Sequence, residues 1–343
     1  MALVRTPHKR FEGLPGYDYE ANYVSVGEPE MAYVDAGDPA ADETFLCLHG
    51  EPTWSYLYRT MIPTLAERGR VIVPDFIGFG RSEKYDEMDD YSFEMHFESL
   101  ETFLEKLDLE DLTLVCQDWG GILGLGAAGH HPERFARIVA MNTGIPDGTQ
   151  EMADVWHQFR QMVETVEELD IGMLINGGCA REVDDDVLDA YRAPFHTEAV
   201  KAGARTWPGL IPLSPDDAGA ETMRQARERL GEWEKPAFVL FGDSDPITGG
   251  GRDALREFFP TASEQPDVWV DNAGHFLQED AGPAVAEHIV EFVDRTSSGT
   301  VSACPFLGPQ RARISFESDS RETVEPGPSD QSRSRGRTHT VDR

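Results

Sequence analysis

The chain has 343 residues, with 63 acidic side chains against 30 basic ones and a formal net charge of −33 at pH 7. Because like charges repel, this surplus argues against partners such as nucleic acid or anionic membranes. No run approaches the roughly 18 apolar residues of a membrane span, and the N-terminus lacks the apolar centre of a signal peptide. We therefore expect a cytoplasmic protein with a solvated acidic surface, suited to a cytosol of high ionic strength.

The four cysteines lie far apart and show no paired spacing of the kind that binds metals; they are Cys47, Cys116, Cys179 and Cys304. Two of them sit inside apolar runs, where cysteine behaves as a small hydrophobic residue. We expect no disulfide framework, no metal and no cofactor.

Short apolar runs alternate with helical segments along most of the chain. The stretches 22–27 and 31–37 alternate apolar and polar residues, which predicts an antiparallel hairpin at a sheet edge. Later runs are apolar throughout, as in parallel strands buried on both faces. They lie at 45–50, 71–76, 112–118, 136–142, 237–243 and 268–270. Together they predict an α/β fold with a doubly wound, mostly parallel sheet.

This alternation stops between the two halves of the predicted sheet. Residues 147–215 contain no strand-like run and offer helical stretches, so we interpret them as a helical cap inserted into a core of residues 1–146 and 216–296. Residues 297–343 turn to Ser, Thr, Gly, Pro and Arg, with too few large apolar side chains to offset the entropy of ordering. We expect this tail to be disordered.

The clearest chemical signal is the sequence CQDWGG, residues 116–121, which follows an apolar strand and opens a helix. The α/β hydrolases place their nucleophile on such a turn, usually within G-x-S-x-G. Asp118 takes the place of the serine here, and Gln117 takes the place of the first glycine. Asp118 could alternatively be an ordinary helix N-cap.

Three other strand ends carry matching groups. LHGEPTW, residues 48–54, has the position of an oxyanion loop. GDSDPI offers the carboxylates Asp243 and Asp245, and NAGHF offers His275 after the last predicted strand. The order Asp118, Asp245, His275 is the nucleophile, acid, base order of α/β hydrolases and favours catalysis over capping.

At this point the chain resembles the haloalkane dehalogenases, and within them the branch of the dichloroethane-degrading enzyme of Xanthobacter. The matching stretches lie within residues 4–295 and are RTPHKRF, FLCLHGEPTWSYLYR, VIVPDFIGFGRS, LTLVCQDWGG, YRAPF and NAGHFLQE. The resemblance implies an α/β-hydrolase fold and hydrolysis of a haloalkane to alcohol and halide through an aspartyl ester.

The chemistry of the residues fits the roles that the resemblance implies. An ionised Asp118 can displace halide without a base, and His275 can then activate water against the ester, oriented by Asp245, which matches the family acid. Backbone N–H groups of Glu51 and Trp119 are expected to form the oxyanion hole.

We expect tryptophans to bind the halide, because their indole N–H can only donate. Trp119 follows the nucleophile directly, although packing in the core is an alternative role for it. The resemblance places the second donor in the cap, where Trp156 fits better and Trp207 remains an alternative. Ala153 replaces the phenylalanine that the family carries three residues before Trp156.

Two other functions remain open. An epoxide hydrolase also uses an aspartate in the elbow but needs two cap tyrosines. Residues 147–215 contain one tyrosine, Tyr191. A ligand sensor on a hydrolase fold would not need turnover. We expect a monomer whose partners are a small apolar halogenated substrate and water.

Overall fold

The structure, a computed structural model, describes residues 3–297 and the backbone of residues 312–313. The strands are β1 (Leu3–Val4), β2 (Asn22–Ser25), β3 (Glu30–Ala36), β4 (Thr44–Leu48), β5 (Arg70–Pro74), β6 (Lys84–Tyr85), β7 (Leu112–Gln117), β8 (Phe135–Met141), β9 (Ala237–Val239), β10 (Phe241–Gly242), β11 (Val268–Val270) and β12 (Ala312–Arg313). The predicted hairpin is β2–β3, and the later apolar runs all contain strands.

Seven strands form the main sheet in the order β2-β3-β5-β4-β7-β8-β9. The pairs β2–β3 and β3–β5 are antiparallel, and the remaining pairs of this sheet are parallel. β10 pairs with β11, and β11 with β12, again in parallel. Leu240 N donates to Ala140 O at 3.0 Å, which joins this second set to the main sheet. The prediction of a mostly parallel sheet with an antiparallel edge is confirmed.

The helices lie between the strands and are α1 (Ile62–Arg68), α2 (Phe93–Lys106), α3 (Trp119–His130), α4 (Asp154–Thr165), α5 (Ile171–Gly178), α6 (Asp185–Arg192), α7 (Ala202–Leu210), α8 (Ala220–Leu230), α9 (Arg252–Phe258) and α10 (Leu277–Ser297). Helices α4 to α7 fall in residues 147–215, a stretch without a strand, and α8 packs against α3 in the core. The cap boundaries stay a prediction. Apart from Ser297 and the backbone of 312–313, the tail expected to be disordered lies outside the described residues.

The register of the strands brings the polar strand ends to one edge. Leu48 of β4 lies opposite Cys116 of β7, which lies opposite Ala140 of β8. All six residues of β7 are buried, so this strand runs through the centre of the core. Because parallel strands end at the same edge, the loops after β4, β7 and β8 meet there, which is where α/β sheets bind ligands.

None of the helices described in residues 3–297 combines the length and the apolar character needed to cross a bilayer. Within the same residues, His, Cys, Asp and Glu side chains form no group of three or more suited to a metal ion.

Candidate active site

Asp118 lies on the sharp turn between β7 and α3, with φ 51° and ψ −124°. A non-glycine residue rarely adopts this region, so its neighbours must hold it there. Asp118 O accepts from Thr143 Oγ1 at 2.7 Å and from Gly121 N at 2.9 Å, and Asp118 N donates to Asn142 O at 3.1 Å. The side chain does not cap α3, so the alternative N-cap interpretation is wrong.

The carboxylate of Asp118 faces the imidazole of His275. Asp118 Oδ2 lies 3.5 Å from His275 Nε2, and Asp245 Oδ2 lies 3.2 Å from His275 Nδ1 on the other side of the ring. The three groups come from three different loops at the same edge of the sheet. The structure therefore brings together the nucleophile, base and acid candidates of the sequence.

Of the two carboxylates after β10, only Asp245 reaches His275. It also accepts from Ile247 N at 2.8 Å and from the hydroxyl of Thr248. Asp243 is exposed and accepts from Asn272 N at 2.9 Å. These bonds hold Asp243 within the loops, so Asp245 is the carboxylate that bonds to His275.

The charges of this group act on one another. Burial alone would raise the pKa of Asp245, but the charge of His275 and the hydrogen bonds from His275, Thr248 and Ile247 N together outweigh it and lower that pKa to about 2. Burial favours a neutral His275, but the carboxylates of Asp245 and Asp118 outweigh it and raise its pKa to about 10. With Asp118 ionised, the histidine is therefore held as an imidazolium.

The backbone N–H of Glu51 forms a hydrogen bond with the nucleophile. Glu51 N donates to Asp118 Oδ1 at 2.7 Å, as expected of an oxyanion-hole donor. No bond from Trp119 N to that carboxylate occurs among residues 3–297, although this N–H opens α3 beside it.

The side chain of Glu51 is a feature that the sequence did not reveal. It is only 4% exposed, and neither of its carboxyl oxygens has a hydrogen-bond partner among the described residues. Burial, and then the negative charge of Asp118, raise its pKa well above the usual value. Both effects favour the neutral form of Glu51.

Asp118 and His275 open onto a cavity of about 480 Å³. Its walls are mostly apolar and include Trp119, Trp156, Phe159, Leu174, Ile211 and Phe276. A small apolar molecule fits such a space, because the carboxylate and the imidazole are among its few polar groups.

The two tryptophans of residues 147–215 differ in position and in bonding. Trp156, on α4, lines the cavity, and its indole N–H donates to no protein atom within the described chain. Trp207, on α7, stacks behind Trp119 with ring centroids 5.0 Å apart. Its Nε1 donates to His96 Nε2 at 2.5 Å. The N–H of Trp207 is thus already used inside the core.

Two buried amides support the catalytic loops and were not assigned a role from sequence. Gln117 Nε2 lies 3.1 Å from His275 O and 3.2 Å from His275 Nε2. Asn142 Nδ2 donates to Gly274 O at 2.8 Å, and its Oδ1 accepts from Gly242 N at 3.0 Å. Their only signal in the sequence was a polar residue at the end of an apolar strand.

The loop of His275 is also bonded to the stretch predicted to form the cap. His275 N donates to Gly178 O, at the end of α5, at 2.7 Å. Asp280 Oδ2 accepts from Gly274 N and from Ala180 N, both at 2.8 Å. The base is therefore supported both from the sheet edge and from residues within 147–215.

The fold and the elbow define an α/β hydrolase, and the family model described as the α/β hydrolase fold matches residues 43–176. A haloalkane dehalogenase of Psychrobacter cryohalolentis is 42% identical over 299 residues, 85% of this chain and 98% of its own. One of Mycobacterium marinum is 42% identical over 298 residues, 85% of this chain and all of its own. The chain belongs to the haloalkane dehalogenase family.

A solved structure agrees with this assignment. The haloalkane dehalogenase DpaA of Paraglaciecola agarilytica, described as tetrameric, superposes with a TM-score of 0.78 at 37% identity. The match covers 88% of this chain and 100% of that one.

Proposed function

We propose that this protein hydrolyses haloalkanes to alcohol and halide through an alkyl ester on Asp118. One observation carries the proposal: the carboxylate of Asp118, already held by a backbone N–H, lies at the wall of an apolar cavity that two tryptophans also line. Such a carboxylate can attack an sp³ carbon without help from a base.

In the first step an oxygen of Asp118 bonds to the carbon, and the carbon–halogen bond breaks with its electron pair on the halide. Trp119 and Trp156 are the proposed halide donors, because both line the cavity and an indole N–H can only donate. The bond from Trp207 to His96 favours Trp156 over Trp207 in this role.

In the second step His275 takes a proton from water while the water oxygen attacks the carboxyl carbon of Asp118. Negative charge develops on the Asp118 oxygen that faces Glu51 N, and the N–H of Trp119 is the second proposed donor to it. Asp245 orients the ring and stabilises its positive charge. The alkyl oxygen takes the proton from His275 and leaves as the alcohol, and Asp118, left as a carboxylic acid, gives its proton through His275 to solvent and returns to the carboxylate.

The position of Tyr191 argues against an epoxide hydrolase. Its hydroxyl donates to Glu279 Oε2 at 2.7 Å, within an ion pair between Arg59 and Glu279. It does not line the cavity of Asp118 and is not free to donate to an epoxide oxygen. A sensor that never turns over would not require the complete set of Asp118, His275 and Asp245.

We further propose that residues 147–215 act as the cap over the site, that the protein is cytoplasmic, and that it is a monomer. The tetrameric relative makes the oligomeric state worth measuring directly, by light scattering across a range of salt concentrations. A stable tetramer in salt would exclude the monomer.

The proposed activity is tested by adding 1,2-dibromoethane to the purified protein and following bromide release at neutral pH. We expect continuous release from the parent and none from Asp118→Asn. Absence of release from bromoalkanes of several chain lengths, together with hydrolysis of an epoxide such as styrene oxide, would replace this proposal by the rival one.

A further inference from the structure

Gln117 occupies the position before the nucleophile, and its side chain reaches the base. It is fully buried, and its amide nitrogen lies within hydrogen-bond distance of two atoms of His275, the backbone oxygen and Nε2. The orientation of the amide is fixed by the first of these contacts, because its oxygen would repel the carbonyl oxygen of His275. The second N–H is then available to Nε2.

This orientation leaves one polar atom without a partner. Gln117 Oε1 is buried and accepts no hydrogen bond among the described residues. A buried polar atom without a partner costs free energy. Because the amide does not satisfy all of its own hydrogen bonds in this orientation, the contact of its nitrogen with His275 Nε2 needs another explanation.

The surroundings of His275 show what that contact does. Asp245 at Nδ1 and Asp118 at Nε2 both favour a proton on the ring nitrogens. An imidazolium cannot take a proton from water, so in this state the base is inactive. Esterification removes the charge of Asp118, and Gln117 is then the protein group that still faces Nε2.

We propose that Gln117 is a positioning residue for the second step: its amide N–H donates to Nε2 of His275 and keeps that nitrogen unprotonated until water takes the place of this hydrogen bond. A donor at Nε2 disfavours a proton there, because two N–H groups then face each other. This inference rests on the proposed ester mechanism. Gln117 itself forms and breaks no covalent bond.

Other charged groups near the ring do not substitute for Gln117. Asp245 comes from the loop after β10 and Asp118 from the elbow, and both favour the protonated ring. Glu51 lies across Asp118, where burial favours its neutral form, and Asp280 on α10 bonds to the backbone of Gly274. Gln117 therefore opposes the effect of both carboxylates.

The test is Gln117→Met, which keeps a flexible side chain of similar length and removes both N–H groups. The full chain is mixed with 1,2-dibromoethane, and the bromide burst and the decay of the ester adduct are timed across pH. We expect the burst within about twofold of the parent. We expect ester decay to be about tenfold slower at neutral pH, the effect of a rise of about one unit in the pKa of His275, and to recover as pH rises.

Gln278→Met is the matched control. Gln278 is as buried as Gln117 and lies close to His275 in the sequence, but its side chain does not bond to His275. If Gln117→Met does not fold, the isosteric Gln117→Glu is used, and its acceptor oxygens should shift the decay in the same direction.

Titration of labelled His275 by NMR gives a readout apart from activity. In an Asp118→Asn background, where a neutral amide mimics the ester, Gln117→Met should raise the pKa of His275 and Gln278→Met should not. Equal pKa values and equal pH profiles in both variants overturn the role of Gln117. Loss of the burst in the parent itself would instead overturn the proposed function.

Discussion

The two loops that meet at the site are held in different ways. Asp118 is fixed by Glu51, Asn142 and Thr143, all from the part of the chain assigned to the core. The loop of His275 is bonded to Asn142, after β8, and to Gly178, in the stretch predicted to form the cap. The nucleophile thus depends on the sheet edge, whereas the base depends also on the helical residues 147–215.

This difference assigns the two chemical steps to different parts of the molecule. Attack on the carbon–halogen bond needs Asp118 and the halide donors, and the ester is cleaved only when His275 is aligned. Substitutions around His275 should therefore slow ester cleavage and leave halide formation intact. Substitutions of the halide donors should slow halide formation and leave ester cleavage intact.

The largest separation is expected from His275→Gln. This variant should release about one bromide per site from 1,2-dibromoethane and then stop, because the ester of Asp118 has no activated water to cleave it. Intact mass should rise by the alkyl fragment, and peptide mapping should find it on Asp118. A folded variant with neither burst nor adduct would contradict the division of labour, since a serine-type hydrolase loses its burst in this way.

Trp156→Phe should act on the opposite step. It removes one donor to the developing halide, an interaction of about 2 kcal/mol, so the burst should slow about thirtyfold while the fold is retained. The control is Trp233→Phe, a buried tryptophan outside the cavity whose Nε1 has no partner in the described chain. Equal burst rates in the two variants would exclude Trp156 as a donor.

A smaller effect should follow from Asp280→Asn on the base side. Asp280 links Gly274 N to Ala180 N, and weakening one such bond costs about 1 kcal/mol. We expect ester decay about fivefold slower with an unchanged burst. Asp294→Asn, on the same helix but paired with Arg68 at the surface, is the control. Slowing of the burst by the same factor would show that the loops of Asp118 and His275 both depend on contacts with residues 147–215.

The smallest effect should come from Glu51→Gln beside the nucleophile. Because burial and the charge of Asp118 favour the neutral form of Glu51, an amide of the same shape should leave burst and turnover within about twofold of the parent between pH 6 and 8. These rates are measured by stopped-flow bromide detection. A loss of a hundredfold or more would mean that the side chain carries a charge or a proton that the reaction uses.

Much of the fold could be predicted because its signals are local. Apolar runs and their spacing indicated the strands of the main sheet, and the order of Asp118, Asp245 and His275 depended only on the residues directly after each strand. The resemblance then supplied the function. The elbow itself was visible as one short run of residues between a strand and a helix.

The rest of the site required contacts between distant parts of the chain. Asp243 and Asp245 are two positions apart, and no local pattern indicates which of them turns toward His275. The choice between Trp156 and Trp207 depends on His96, which lies 111 residues from Trp207 in the sequence. The amide of Gln117 is a similar case, since its partner is 158 residues away.

The bond from His275 N to Gly178 O has a consequence for protein engineering. Exchange of residues 147–215 with those of a relative would replace the residue whose backbone oxygen accepts from the base loop. Gly178 also cannot take a side chain without movement, because a Cβ there would lie 2.4 Å from Phe276 Cε2. Chimeras joined C-terminal to Gly178 would therefore change the alignment of the base together with the pocket, whereas grafts ending before α5 would change the pocket alone.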